Sequence, residues 1–235
     1  MRRFSGLFVR LLLVLLIIFP GSSPKIAAQE VLRGEVRIDL EPIYGSYADS
    51  EYPLSPESAR RRALEEAALF YSAMIYGWSF NYDIGEKARG IAEAFELTPL
   101  GAVRFGDPGL FATDAEVRDM RLYLWTDYRL TSAQQNRAAS WKTGTIRRVQ
   151  AMGHGPLEPP VAAAGWLGVK QKALEDAARQ AVRAMLRGSE RNRPKEARGR
   201  ISLVAFPRYF MDRGTWAADA RFQVEVIEIV PFAVY

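Results

Sequence analysis

The chain's single histidine, His154, lies in "MGHGP" with a glycine on either side. Imidazole titrates near neutral pH, and flanking glycines let a ligand approach closely, so the residue types suit general-base chemistry. The same letters also spell a tight turn after a strand, which is the simpler reading. A second group is "YGWSFNYD", Tyr76 to Asp83. Trp78 and Tyr82 offer flat apolar faces on which a sugar ring can stack, and Asp83 offers oxygens to hydroxyls. At alternating spacing such aromatics also anchor the passage from a helix to a strand, in the core and at its rim.

The remaining polar groups are less selective. Asp107, Asp114, Glu116 and Asp119 fall in one long connection, but "DPGLFATDAEVRD" does not reproduce the spacing of a calcium loop. Paired carboxylates can hydrolyse glycosides, yet nothing singles out one pair here. Arg60 to Arg62 and "RGSERNRPKEARGR" alternate with Glu and Pro and lack interleaved aromatics, which describes a solvated helix face and a linker rather than a nucleic-acid groove. No dinucleotide, P-loop, zincin or nucleophile-elbow pattern occurs. No catalytic residue, metal ligand or cofactor is therefore assigned, and the protein is expected to be non-enzymatic.

The elements that must position these residues follow from periodicity. Between 56 and 78 apolar pairs recur at steps of four and three, one face of an α-helix that includes Trp78. Ser55 is placed to cap it, Pro56 to open it and Gly77 to end it. A second helix carries Trp166, Val169, Ala173, Leu174, Ala177, Ala181, Val182 and Met185 on one face. The alanines allow close approach to a sheet. Strands are expected in "EVRIDLEPI", "MRLYLWTDYRL", "TIRRVQAMG", "RISLVAFPRYF" and "ARFQVEVIEIV". "GIAEAFELTPL" fits either type and is read as a strand from its place in the order.

The two helices also share a sequence. "ALEEAALFYSAMIYG" at 63–77 returns as "ALEDAARQAVRAMLRG" at 173–188, and "GEVRIDLEPIYG" at 34–45 aligns with "GTIRRVQAMGHG" at 144–155. The latter alignment sets Tyr44 opposite His154. "KARGI" and "EARGRI", then "DMRLYL" and "DARFQV", continue the match in the same order. The expected architecture is α+β: two tandem β-α-β-β units, 29–133 and 134–235, each with one long helix on a small, mainly antiparallel sheet.

Residues 1–28 read as an export signal, with Arg2, Arg3 and Arg10 ahead of the apolar run "LLLVLLIIF". That run is too short for a membrane span, so none is expected after cleavage. The segment also holds Lys25 and no acid. Without it, 28 of the 32 basic residues remain against 27 acids, a net charge of +1, which removes the case for a nucleic-acid partner. The absence of cysteine excludes disulfides, thiolate chemistry and lipid attachment at an N-terminal cysteine.

The strand "VQAMGHGP" followed by the alanine-spaced helix "KALEDAARQAVRAML" resembles the N-terminal module of FlgT, a periplasmic flagellar-motor protein, and related small outer-membrane lipoproteins. The resemblance covers residues 144–188, and the acylated cysteine of the lipoproteins has no counterpart here. It implies a non-enzymatic module attached to an envelope assembly. The leading expectation is thus a periplasmic or secreted structural or interaction module with an envelope protein as partner, working through sheet edges or the aromatic 76–83 connection. The second is a small-ligand or glycan binder, less readily a hydrolase, using Trp78, Tyr82, Asp83 and His154 in a cleft between the units.

Overall fold

A computed structural model describes residues 30–42, 51–86, 90–143, 145–156, 161–189 and 194–231. The segment expected to direct export, Tyr44 and most of the stretch before residue 194 lie outside them. The fold is α+β, with three α-helices among the described residues and two antiparallel sheets.

The first sheet has the order β1-β5-β4, with β1 at Val31–Asp39, β4 at Leu110–Arg118 and β5 at Arg121–Arg129. Helix α1, Pro56–Ile75, crosses its inner face. The second sheet follows the order β3-β2-β7-β9-β6. Its strands are β2 (Trp78–Asp83), β3 (Ala94–Pro99), β6 (Arg147–His154), β7 (Glu196–Leu203) and β9 (Thr215–Val230). A short β8, Arg208–Asp212, pairs with the start of β9. Helix α3, Val161–Ser189, packs on β6 and β9. The short α2, Ser132–Ala139, fills the connection between β5 and β6.

Local chemistry explains α1. The Ser55 hydroxyl accepts from the Ser58 N–H at 3.1 Å, Pro56 opens the first turn and Gly77, at φ +68°, releases the chain. The helix stops at Ile75, so Trp78 belongs to β2 and not to the helical stripe. A side chain at Gly77 would put its Cβ 2.4 Å from the Ile201 carbonyl oxygen, so the turn itself packs against β7. Burial runs round much of α1, from Ala59 and Ala63 to Phe70, Tyr71 and Ile75, because it touches β1 and β5 and also β7.

Alanines bring α3 onto its sheet. Ala173, Ala177 and Ala181 are fully buried, and a Cβ at Gly153 would meet the Ala177 nitrogen at 2.0 Å. The glycine before His154 thus serves helix-to-strand contact. Phe206, between β7 and β8, ties the two sheets together. Its ring lies edge-on to Phe70 and Tyr71 and occupies the space that a Cβ at Gly34 of β1 would need.

Three stretches depart from the sequence expectation, the first being "RISLVAFPRYF", which is broken at 204–207 into the end of β7 and most of β8. The cluster "WSFNYD" is β2, an interior strand between β3 and β7, where a connection was expected. The connection carrying Asp114 and Glu116 contains β4, hairpinned to β5. Its alternation is masked because the strand is exposed from Thr113 onward and by a bulge between Ala112 and Asp114. Both β2 and β3 pair within the second sheet, so its strands come from both halves of the chain. Among the described residues no helix is long and apolar enough to cross a membrane.

Candidate functional site

The four residues nominated from the sequence do not converge. Alternation along β2 turns Trp78, Phe80 and Tyr82 to one face, with Phe80 and Tyr82 buried, and Asp83 to the other. The Tyr82 hydroxyl donates to the Glu93 carboxylate at 2.7 Å, and its ring meets Phe95 edge-on. Burial, reinforced by that bond to Glu93, pushes its pKa up to about 12. Asp83 pairs across the ladder with Ala94 and Glu196.

His154 sits at the far end of β6. Its row on β9 is Ala217, whereas Trp78 shares a row with Ile201 and Val224. Those rows are seven residues apart along β9, about 23 Å at the rise of a strand. His154 Nε2 lies 2.9 Å from Asp212 and its backbone N–H donates to Asp176 at 2.9 Å, both at an exposed edge. An imidazole oriented by a carboxylate is half of a general-base arrangement. Among the described residues no serine or threonine hydroxyl completes it, and no group of three His, Asp or Glu side chains is placed to hold a metal.

Trp78 instead lines an apolar groove of about 330 Å3. Ala68, Leu69 and Ser72 of α1 form one wall, Leu167 at the start of α3 another, and the segment Pro99–Phe105 the third. The Ser72 hydroxyl fixes that segment by accepting from the Val103 N–H at 2.7 Å. A close approach holds it as well, because a Cβ at Gly101 would strike the Tyr76 ring at 2.6 Å. Phe105 remains 53% exposed at the groove's end, where a second depression begins beside Arg60 and Arg61. Such a concave apolar lining with a charged end fits the side chains of a partner segment better than a reaction centre.

The strongest concentration of polar chemistry lies where the two long helices meet. Lys170 of α3 and Glu66 of α1 form a 2.7 Å ion pair whose side chains are 7% and 3% exposed. The ammonium also faces the rings of Trp216, Tyr209 and Trp166 at 5.1, 5.3 and 5.8 Å. Burial raises the Glu66 pKa against the lowering effect of Lys170, and burial raises that of Tyr209 well above its ordinary value. One turn earlier on α1, the buried Arg62 reaches Glu51 at 2.9 Å and lies over Tyr52 and Trp166. With its buried charges paired across two helices, this junction is suited to fixing the helices rather than to turning over a substrate.

Sequence reasoning passed over Glu66 and Lys170, although helical phase marks both. Glu66 follows Ala59 and Ala63 at steps of seven and three, and Lys170 precedes Ala173 and Ala177 by three and seven. Two opposite charges in the apolar stripes of two long helices are the signal for a buried pair.

Comparison with known proteins sets the frame. The chain is 27% identical over 182 residues to an uncharacterized protein of Treponema pallidum (strain Nichols), an alignment covering 77% of this chain and 74% of that protein. No solved structure matches. A protein-family model that carries no functional description matches residues 20–232, and with that span the chain belongs to this family.

Proposed function

We propose that the protein is an exported, periplasmic, non-enzymatic interaction module of the cell envelope, built from two tandem units at 29–133 and 134–235 that each elaborate a β-α-β-β plan, with two additional strands in the first and one in the second. The order of pairing supports the duplication. In the first half β1 pairs with the last strand, β5, and α1 lies on both. In the second half β6 pairs with the last strand, β9, and α3 lies on both. The strands that follow the two helices, β2 and β7, pair with each other. The basic, then apolar, N-terminal segment supports export, and the resemblance of residues 144–188 to the FlgT N-terminal module supports an envelope assembly as the setting.

The observation that carries the reading is the apolar groove beside Trp78, with Leu69, Leu167 and the exposed Phe105 on its walls and Arg60 and Arg61 at its end. Its occupant in this reading is a segment of an envelope protein with apolar anchors, which the apolar walls of the groove would receive. A photoreactive residue placed at Phe105 or Leu69 in the full chain, in the cells that make it, tests this. A discrete protein adduct is expected from those positions and none from Arg208, which lies on β8. An adduct that is absent, or equal at all three positions, contradicts it.

A further inference from the structure

The outer face of the first sheet, turned away from α1, carries a second constellation that the groove does not involve. Register sets Trp125 of β5 directly between Glu35 of β1 and Asp114 of β4. Directly opposite residues have Cβ atoms about 5 Å apart, so the two carboxylates flank the indole. The register of β4 shifts just before this row, between Ala112 and Asp114. An open depression of about 600 Å3 results, lined by Arg33, Glu35, Thr113, Asp114, Trp125 and Asp127.

Two features narrow what this depression takes. The other aromatics of the face are already covered: Arg118 and Arg37 stack over Tyr123 at 4.7 and 5.4 Å, and Arg129 over Phe111 at 4.6 Å. Among the described residues no cation or ring is stacked on Trp125, so its face is available. The charges beside it are also matched. Arg33 pairs with Asp127 at 3.6 Å, Arg37 with Glu35 at 2.6 Å and Arg121 with Asp39 at 2.7 Å. Arg118 pairs with Glu116 at 3.9 Å, and the charge of Arg129, which rests on Phe111, is offset by Asp114 on the same face, so the face has little net field with which to hold a polyanion. It offers a partly exposed indole edged by acceptor oxygens.

We infer that Trp125, with Glu35 and Asp114 on either side, forms a subsite for a pyranose ring of a neutral, β-linked glycan. The C–H face of the ring packs on the indole, and its equatorial hydroxyls donate to the two carboxylates. This assignment stands apart from the groove, which lies on the other side of the first sheet and of α1. Either can fail without the other.

The test is titration of the protein with chitopentaose and with cellopentaose, followed by calorimetry and by the NMR shift of the Trp125 indole N–H. Saturable binding that moves this resonance is expected. Trp125→Ala should weaken binding about tenfold or more, the size of effect that follows loss of a stacking surface. Glu35→Ala and Asp114→Ala should weaken it while leaving the melting temperature near that of the parent. If Trp125→Ala does not fold, the carboxylate variants and Trp125→Phe, which keeps a smaller ring, carry the comparison. No binding of either sugar, binding indifferent to these substitutions, or capture only of a heparin fragment would overturn the assignment. So would a protein adduct formed through Trp125 without sugar binding.

Discussion

Lys170 Nζ and Glu66 Oε2 sit 2.7 Å apart although they belong to different helices and both side chains are almost wholly shut off from solvent. Their residues are 104 positions apart, so the contact exists only when α1 and α3 have docked. Removing one partner leaves an uncompensated charge inside. Lys170→Ala or Glu66→Ala is expected to cost about 3–5 kcal/mol, read as a fall in the urea midpoint. Replacing both at once, Glu66→Leu with Lys170→Met, should come within about 1 kcal/mol of the parent, because packing substitutes for a pair whose desolvation was costly. A double variant as unstable as either single one would show that the pair contributes more than it costs to bury.

Gly153 and His154 separate two readings of "MGHGP". A Cβ at Gly153 meets the Ala177 backbone nitrogen at 2.0 Å and the Ala173 carbonyl oxygen at 2.5 Å. Neither atom can rotate away. Gly153→Ala should therefore lose about 1–3 kcal/mol, with a lower melting temperature. His154→Ala, at the exposed edge beside Asp212, should change stability by less than about 0.5 kcal/mol. Thermal unfolding of the two variants checks the contrast.

Tyrosines shielded from solvent, Tyr71, Tyr82, Tyr128 and Tyr209, make the fold sensitive to alkali. Burial and the Glu93 bond hold Tyr82 near 12, and burial raises Tyr71 and Tyr209. The folded protein keeps these protons at a pH where the unfolded chain, titrating near 10, gives them up. Stability is therefore fully present below about pH 10 and falls as pH rises above it. The Tyr82 share is on the order of 2 kcal/mol by pH 12. Denaturant midpoints measured from pH 9 to 11.5 should fall steadily, and Tyr82→Phe should flatten that slope.

Much of the frame was legible from periodicity and capping. Ser55, Pro56 and Gly77 mark α1 to within two residues, and the alanine stripe of α3 lies on a sheet as its spacing requires. Legibility failed where tertiary pairing overrides local pattern. "WSFNYD" alternates like a strand, but only its partners β3 and β7 make it an interior one. Most of β4 is exposed and polar and its period is broken by a bulge, so it reads as a loop. The site suffered the same way. Trp78 was singled out for a face that instead helps line a groove, and its presumed companion His154 belongs to distant rows of the same sheet. Trp125 escaped notice because its neighbours Glu35 and Asp114 come from strands about 80 residues apart in the chain, which sequence spacing does not bring together.

The groove beside Trp78 carries the functional account, and charging its walls tests that account most directly. Leu69→Asp with Phe105→Asp would set two carboxylates against the apolar anchors of a partner while changing only half-buried and exposed positions. The measurement is the yield of the crosslinked envelope adduct recovered with the full chain, compared between parent and double variant at equal expression and unchanged melting temperature. The account predicts that the adduct falls about tenfold or more. An adduct of undiminished yield from a folded double variant would contradict it.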